Sequence, residues 1–245
     1  MKVAALIPAR YNSQRFPGKL MKDLLGKTVI WRTYQAAFQS ELFDEVYVIT
    51  DSQIIFDEIN KQGGKVLMST KEHESGTDRI AEFAPQIDAD IIINIQGDEP
   101  FINTEALSGL IQLFRDDDFE IIDIASLMIK IDNKDDFLNP NNVKVVTDTD
   151  NFAMYFSRAP IPYSRDHIFE KAFKHIGVYA FRKEVLMGMP DMAPTELEQI
   201  EKLENLRFLN EGMMIKMLET DTVNFGIDTE EDLQKAIAFL QNKTK

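Results

Sequence analysis

The sequence predicts an α/β protein: a mostly parallel sheet flanked by helices, with an antiparallel, β-rich insertion. Three observations predict it. Short apolar runs alternate with helix-period segments from residue 2 to about residue 115, the pattern of strands joined by crossover helices. Helix caps and glycine stops punctuate those segments. After about residue 120 the alternation gives way to successive strand-like runs with few helices between them.

Lys2–Ala9 reads as a buried strand, and Thr28–Ser40 as a helix. "EVYVIT" (45–50) is the second strand, and Ser52–Gln62 is a helix stopped by Gly63 and Gly64. Lys65–Met68 is a short strand, Thr77–Phe83 opens a helix, and "DIIINI" (90–95) is a strongly apolar strand. Thr104–Arg115 is helical, with Thr104 in a capping position. The strand-like runs "IIDIASLMIKI" (121–131), "VKVVTDT" (143–149), "FAMYFS" (152–157) and "HIGVYAF" (175–181) follow. Val143–Ser157 has the form of a hairpin turning at Asp148–Asn151. Thr195–Asn210 reads as a helix opened by a Thr195–Glu198 capping box. "MMIKML" is a strand, and Asp228–Gln241 is a helix capped by Asp228 or Thr229. No repeat or linker interrupts the chain. The domain expectation is therefore one domain, 1–245, with the insertion at roughly 120–185.

The 245 residues are 44% hydrophobic, enough for a sizeable core. There is no cysteine, which removes disulfides and thiolate metal sites. No run approaches the ~18 apolar residues of a membrane helix, and no secretory pattern opens the chain. The expectation is a soluble, cytoplasmic protein. The net charge of −14 argues against a nucleic-acid partner. Yet Lys2, Arg10, Arg15, Lys19, Lys22, Lys27 and Arg32 face only Asp23 among residues 1–34, a local excess of cations. A basic patch on an acidic body suits a small anionic ligand.

Three of those seven cations follow the first strand, in "IPARYNSQRFPGK" (7–19). Loops at the carboxyl edge of an open α/β sheet are where ligands bind. The dinucleotide fingerprint G-x-G-x-x-G is absent, and Met21 replaces the first glycine that a P-loop around Gly26-Lys27-Thr28 would need. Arg10, Arg15 and Lys19 therefore offer side-chain donors to phosphates, and Pro17-Gly18 a tight turn before Lys19. An ordinary solvated loop would carry the same residues. "NIQGDEP" (94–100) places Asp98 at the carboxyl end of a strand, where a carboxylate can hold Mg²⁺; an acidic strand-end turn is the plain alternative. Asp228 in "GIDTEEDL" reads locally as a helix cap. "ESGTDRIAE" (74–82) puts Ser75 and Arg79 at a helix start, a place that suits anions. His175 and Tyr179 share a strand face by two-residue alternation.

Taken in order, "IPARYNSQRFPGK", "SGTDRIAE", "NIQGDEP", "VKVV…YFSRAPIP", "KHIGVYAFR", "EKLENLR" and "IDTEEDL" resemble the motif series of the 3-deoxy-manno-octulosonate (Kdo) cytidylyltransferases over about residues 3–235. The resemblance implies a nucleotidyltransferase fold of the glycosyltransferase-A-like kind. It also implies CTP and Kdo as substrates, CMP-Kdo and pyrophosphate as products for lipopolysaccharide assembly, Mg²⁺ as cofactor, and a homodimer with contacts in the insertion. By the same resemblance Arg10, Arg15 and Lys19 hold the triphosphate, and Ser75 and Arg79 help hold the nucleotide. Asp98 and Asp228 ligate Mg²⁺, with Lys19, Arg15 and Asp98 as the catalytic set. Gln96, Arg158, Arg165, His175, Tyr179, Glu204 and Asn205 contact the sugar acid. Asn205 departs from the family's glutamine, which leaves an 8-amino variant of Kdo as an alternative substrate. Rival readings are a nucleotidyltransferase for sialic acid or another sugar, and a non-catalytic nucleotide-binding module.

Overall fold

Val3–Ala9 forms β1, and all seven of its residues are buried. A strand covered on both faces must be apolar throughout, so this run shows no polar alternation. The computed structural model describes residues 1–13, 15–73, 75–165, 172–221 and 226–243. After β1 come α1 (Val29–Gln39), β2 (Glu45–Thr50), α2 (Gln53–Lys61), β3 (Val66–Met68), α3 (Gly76–Phe83) and β4 (Ile91–Asn94). They are followed by α4 (Thr104–Arg115), β5 (Ile124–Lys130), α5 (Lys134–Leu138), β6 (Lys144–Thr147), β7 (Ala153–Ser157) and β8 (Phe173–Arg182). The chain closes with α6 (Lys183–Gly188), α7 (Glu196–Glu201), α8 (Asn205–Asn210), β9 (Ile215–Glu219) and α9 (Glu230–Lys243). Among the described residues no helix is long and apolar enough to cross a membrane. The chain divides into two compact units, Met1–Thr104 with Asn224–Lys245, and Glu105–Val223.

In the first unit the strands run β3-β2-β1-β4, all parallel. Pairing of Ala9 with Thr50 and of Leu6 with Asn94 brings the carboxyl ends of β1, β2 and β4 to one edge. Leu6, Ile7, Val48, Ile49 and Ile92 are fully buried around them. Two of the helix starts are fixed by side-chain caps. Thr28 accepts a hydrogen bond from the Trp31 N–H, and Ser75 forms a complete capping box with Asp78. Gly63, at φ 83°, turns the chain out of α2. Gly64 follows so closely on the helix that a Cβ there would lie 2.8 Å from Ile59 Cγ2.

In the second unit β5 lies between β8, antiparallel, and β9, parallel. The strands β6 and β7 form the expected hairpin, and β6 also pairs with β8. The hairpin turns where predicted: Asp148 Oδ1 accepts from the N–H groups of Asp150 and Phe152, and Asn151 takes φ 60°. The antiparallel segment expected at 120–185 lies inside this unit, although 166–171 fall outside the described residues.

Two expectations are corrected here. The helix read over Thr195–Asn210 is two helices, α7 and α8. Its capping box forms as predicted, but Lys202 adopts a left-handed conformation and breaks the run. Arg207 then reaches back across the break with two hydrogen bonds to Glu198, at 2.8 and 2.6 Å. The short helices α5 and α6, one of them capped by Asn133, interrupt a region that the sequence suggested was almost purely strand. Helices this short lack the repeated apolar period by which longer ones are recognised.

Candidate active site

The cationic loop is held by its apolar members. Phe16 and Leu20 are buried, which fixes the loop against the core and leaves Arg10 and Arg15 exposed on its other side. Lys22 covers the Phe16 ring, its ammonium 5.1 Å from the centroid. Gly18 takes φ 66°, and the Lys19 N–H donates to the Phe16 carbonyl at 3.1 Å, closing a turn from Phe16 to Lys19. The Pro17-Gly18 pair therefore makes the tight turn before Lys19 that the sequence suggested.

Opposite this loop, β4 continues through Ile95, whose N–H donates to the Leu6 carbonyl, into Gln96, Gly97 and Asp98. Gly97 fits because a Cβ would stand 3.0 Å from the Pro8 carbonyl oxygen and 3.1 Å from Ile30 Cδ1. Thr33, buried in α1, donates from its hydroxyl to the Gly97 carbonyl at 2.9 Å. Asp98 is thus carried on a fixed backbone. Its own carbonyl accepts the Ile227 N–H at 2.9 Å, which helps dock the segment before α9 beside the strand end.

With the chain docked there, Asp228 does not cap α9. Capping of α9 falls to Thr229, whose hydroxyl accepts the Asp232 N–H while Asp232 Oδ2 accepts from Thr229. The Asp228 carboxylate is therefore released from the helix end, against the local reading of it as a cap. It accepts from Lys19 Nζ at 2.8 Å and from Arg15 Nη2 at 3.1 Å. Lys19 Nζ also donates to Asp98 Oδ2. Burial alone would lower the Lys19 pKa, but the charges and hydrogen bonds of Asp98 and Asp228 outweigh it and hold the ammonium above its usual range.

A chamber of about 780 Å³ opens over this cluster, lined by Arg10, Arg15, Lys19, Gln96 and Asp98 among others. A smaller one of about 200 Å³ continues beneath Arg10, past His73, Ser75, Gly76 and Arg79. Ser75 spends its side chain on the α3 cap. Arg79 is buried; its Nη2 donates to Asp51 at 2.8 Å, while its Nη1 is buried without a hydrogen-bond partner. An unpaired guanidinium nitrogen on a chamber wall is a ready donor for an acceptor that enters. Burial pulls against ionisation of Asp51, yet Arg79 holds its pKa below the usual value. His73 was missed by the sequence reading. It is fixed by Glu82 at 2.8 Å and Ser69 at 3.0 Å, and its signal was only a histidine beside the Ser75 helix start.

Of the residues expected to contact the sugar acid, Gln96 belongs to the first unit, at the large chamber. The others lie in the second. A β-bulge between β5 and β8, at Ser126/Leu127, shortens the path from His175 to Tyr179 and sets their rings 5.3 Å apart. His175 Nε2 lies 3.0 Å from Ser126 Oγ, and that hydroxyl's own proton has the Val178 carbonyl to bond at 2.8 Å. The oxygen is then left to accept from a neutral His175 protonated at Nε2. Burial pushes His175 down to about 4. Burial, then the Glu204 charge, pushes the Tyr179 phenol up, so it stays protonated. Asn205 is buried, and its Nδ2 has no hydrogen-bond partner. Arg158 donates to the carbonyls of Glu201, Pro140 and Lys202. Arg165 is exposed.

Among the described residues no three carboxylate or imidazole groups converge as a metal cage. Asp98 and Asp228 do converge on one point, since both hydrogen-bond the same Lys19 nitrogen. Two hard oxygen donors with open space beside them fit Mg²⁺, which takes most of its ligands from phosphates and water.

A cytidylyltransferase family model matches residues 4–216. The chain is 56% identical to a 3-deoxy-manno-octulosonate cytidylyltransferase of Christiangramia forsetii, covering 96% of this chain and 95% of that one. It is 55% identical to the enzyme of the same name from Flavobacterium johnsoniae, covering 99% and 100%. A solved CMP:2-keto-3-deoxy-manno-octonic acid synthetase complexed with CTP superposes with a TM-score of 0.93 at 39% identity, over 99% of this chain and 100% of that one. A putative glucose-1-phosphate thymidylyltransferase from Bacillus anthracis shares the fold alone, with a TM-score of 0.68 at 14% identity over 98% and 96%.

Proposed function

This chain belongs to the 3-deoxy-manno-octulosonate cytidylyltransferase family and is a nucleotidyltransferase of mixed α/β fold, and from that premise we propose that it joins CTP to Kdo, giving CMP-Kdo and pyrophosphate for lipopolysaccharide assembly. The carrying observation is the convergence of Lys19, Arg15, Asp98 and Asp228 at the mouth of a chamber that Arg10 also lines. Phosphoryl transfer needs positioning and charge stabilisation more than covalent help, and this cluster supplies both.

Arg10, Arg15 and Lys19 bind the triphosphate, Lys19 meeting the charge that develops on departing pyrophosphate. Ser75, through the capped start of α3, and Arg79 hold the nucleoside end. Asp98 and Asp228 would hold Mg²⁺, which when bound neutralises phosphate charge and lowers the pKa of a hydroxyl nearby. The anomeric hydroxyl of the sugar acid attacks the α-phosphorus in line with the leaving pyrophosphate, and no covalent enzyme intermediate is needed. Gln96, Arg158, Arg165, His175, Tyr179, Glu204 and Asn205 orient the sugar acid. His175 and Tyr179 do so as neutral groups, which position by hydrogen bonding and packing. The enzyme works as a cytoplasmic homodimer, with no nucleic-acid or membrane partner.

Pyrophosphate release with CTP, Mg²⁺ and a panel of sugar acids tests this. Kdo should turn over and sialic acid should not. Release with 8-amino-Kdo in place of Kdo would move the substrate to the amino sugar. Silence with both would overturn the reading.

A further inference from the structure

Two of the three cations that would grip the triphosphate, Arg15 and Lys19, are paired with the carboxylates that would grip the metal. Lys19 Nζ donates to both Asp98 and Asp228, and Arg15 adds a second cation to Asp228. The Lys19 side chain keeps only 15% of its exposure and Asp98 22%, so solvent screens this part of the cluster weakly. We propose that Lys19 is a placeholder cation: it fills the point between Asp98 and Asp228 in the ligand-free protein and leaves only when nucleotide and metal arrive together.

The exchange is balanced in charge at the carboxylates: the Lys19 ammonium and the Arg15 guanidinium leave them for phosphate oxygens, and one divalent cation brings the same two positive charges in their place. Metal arriving alone must displace the ammonium into water. Metal-free triphosphate must draw the ammonium away from carboxylates that are then left unneutralised. Each ligand therefore binds poorly without the other, and by linkage each improves the other's affinity by the same factor. The ligand-free protein is protected in the same way from collecting divalent cations unproductively.

This rests on the proposed metal role of Asp98 and Asp228, and the test separates the two. Mn²⁺ binding, read by electron paramagnetic resonance, is measured without nucleotide on the wild-type protein, Lys19→Met and Arg10→Met. Lys19→Met should bind Mn²⁺ about tenfold more tightly, because an opposing charge at contact distance is gone. Arg10→Met removes a cation from the same loop without touching either carboxylate in this structure, and should change Mn²⁺ affinity by less than about twofold. As a variant independent of Lys19 folding, Asp228→Asn should bind CTP more tightly than wild type in excess EDTA and less tightly with Mn²⁺ present. Unchanged or weaker Mn²⁺ binding in Lys19→Met, or equal tightening in Arg10→Met, overturns the placeholder role while leaving the metal site standing. Absence of Mn²⁺ binding in the wild type even with a non-hydrolysable CTP analogue overturns both.

Discussion

At the scale of single residues, position along the strand end decides chemistry. Asp98 follows Gly97 directly, and Gly97 is packed against the Pro8 carbonyl and Ile30, so the carboxylate has little freedom. Asp98→Asn keeps the shape and removes the charge. Turnover should fall by at least ~10²-fold with the melting temperature within a few degrees of wild type; a near-wild-type kcat would remove Asp98 from the reaction. His175 carries a different consequence. Burial lowers its pKa from 6.5 to about 4, so between those values the unfolded chain takes up a proton that the folded chain refuses. The stability that a neutral His175 permits is complete above 6.5 and is lost as the pH falls toward 4, by about 3 kcal/mol. Urea midpoints of wild type and His175→Gln across that window check it: the variant's stability should depend less steeply on pH.

At the scale of elements, caps were the most legible features. Thr195 and Glu198 form the capping box that their spacing predicts, and Ser75 caps α3 with Asp78. The two caps make opposite predictions for function. Thr195→Ala should cost about 1 kcal/mol of stability in urea titrations, with the KM for CTP unchanged within about twofold. Ser75→Ala should cost a similar amount and also raise the KM for CTP several-fold, because α3 starts on the wall of the smaller chamber, the proposed nucleotide site. Equal effects of both on KM would disconnect the α3 terminus from binding. The elements that escaped the sequence were those whose cause is not periodic. Lys202 breaks the α7–α8 run by a left-handed residue, and α5 and α6 are too short to show a face. The bulge opposite Ser126 had one local trace, Gly177 inside the strand.

At the scale of the whole molecule, the net charge of −14 hides the cationic start of the chain. Raising KCl from ~0.1 to ~1 M cuts the screening length from ~10 to ~3 Å, so the KM for CTP should rise several-fold while kcat changes less. A KM flat in salt would mean that the exposed Arg10 and Arg15 contribute little to capture. Light scattering on the purified protein should give twice the 28.1 kDa of one chain, as the proposed homodimer requires.

The sequence by itself determined the strand–helix alternation, the caps and the hairpin turn. All of these rest on interactions within a few residues of chain, which composition and spacing record directly. Tertiary structure alone decided which groups meet. Asp228 looked like a cap until Ile227 bonded the Asp98 carbonyl and Thr229 took over the helix end. His175 and Tyr179 come within ring contact because a bulge shortens the strand between them. Hydrogen bonds and register between segments far apart in sequence set these meetings, and no local pattern encodes them.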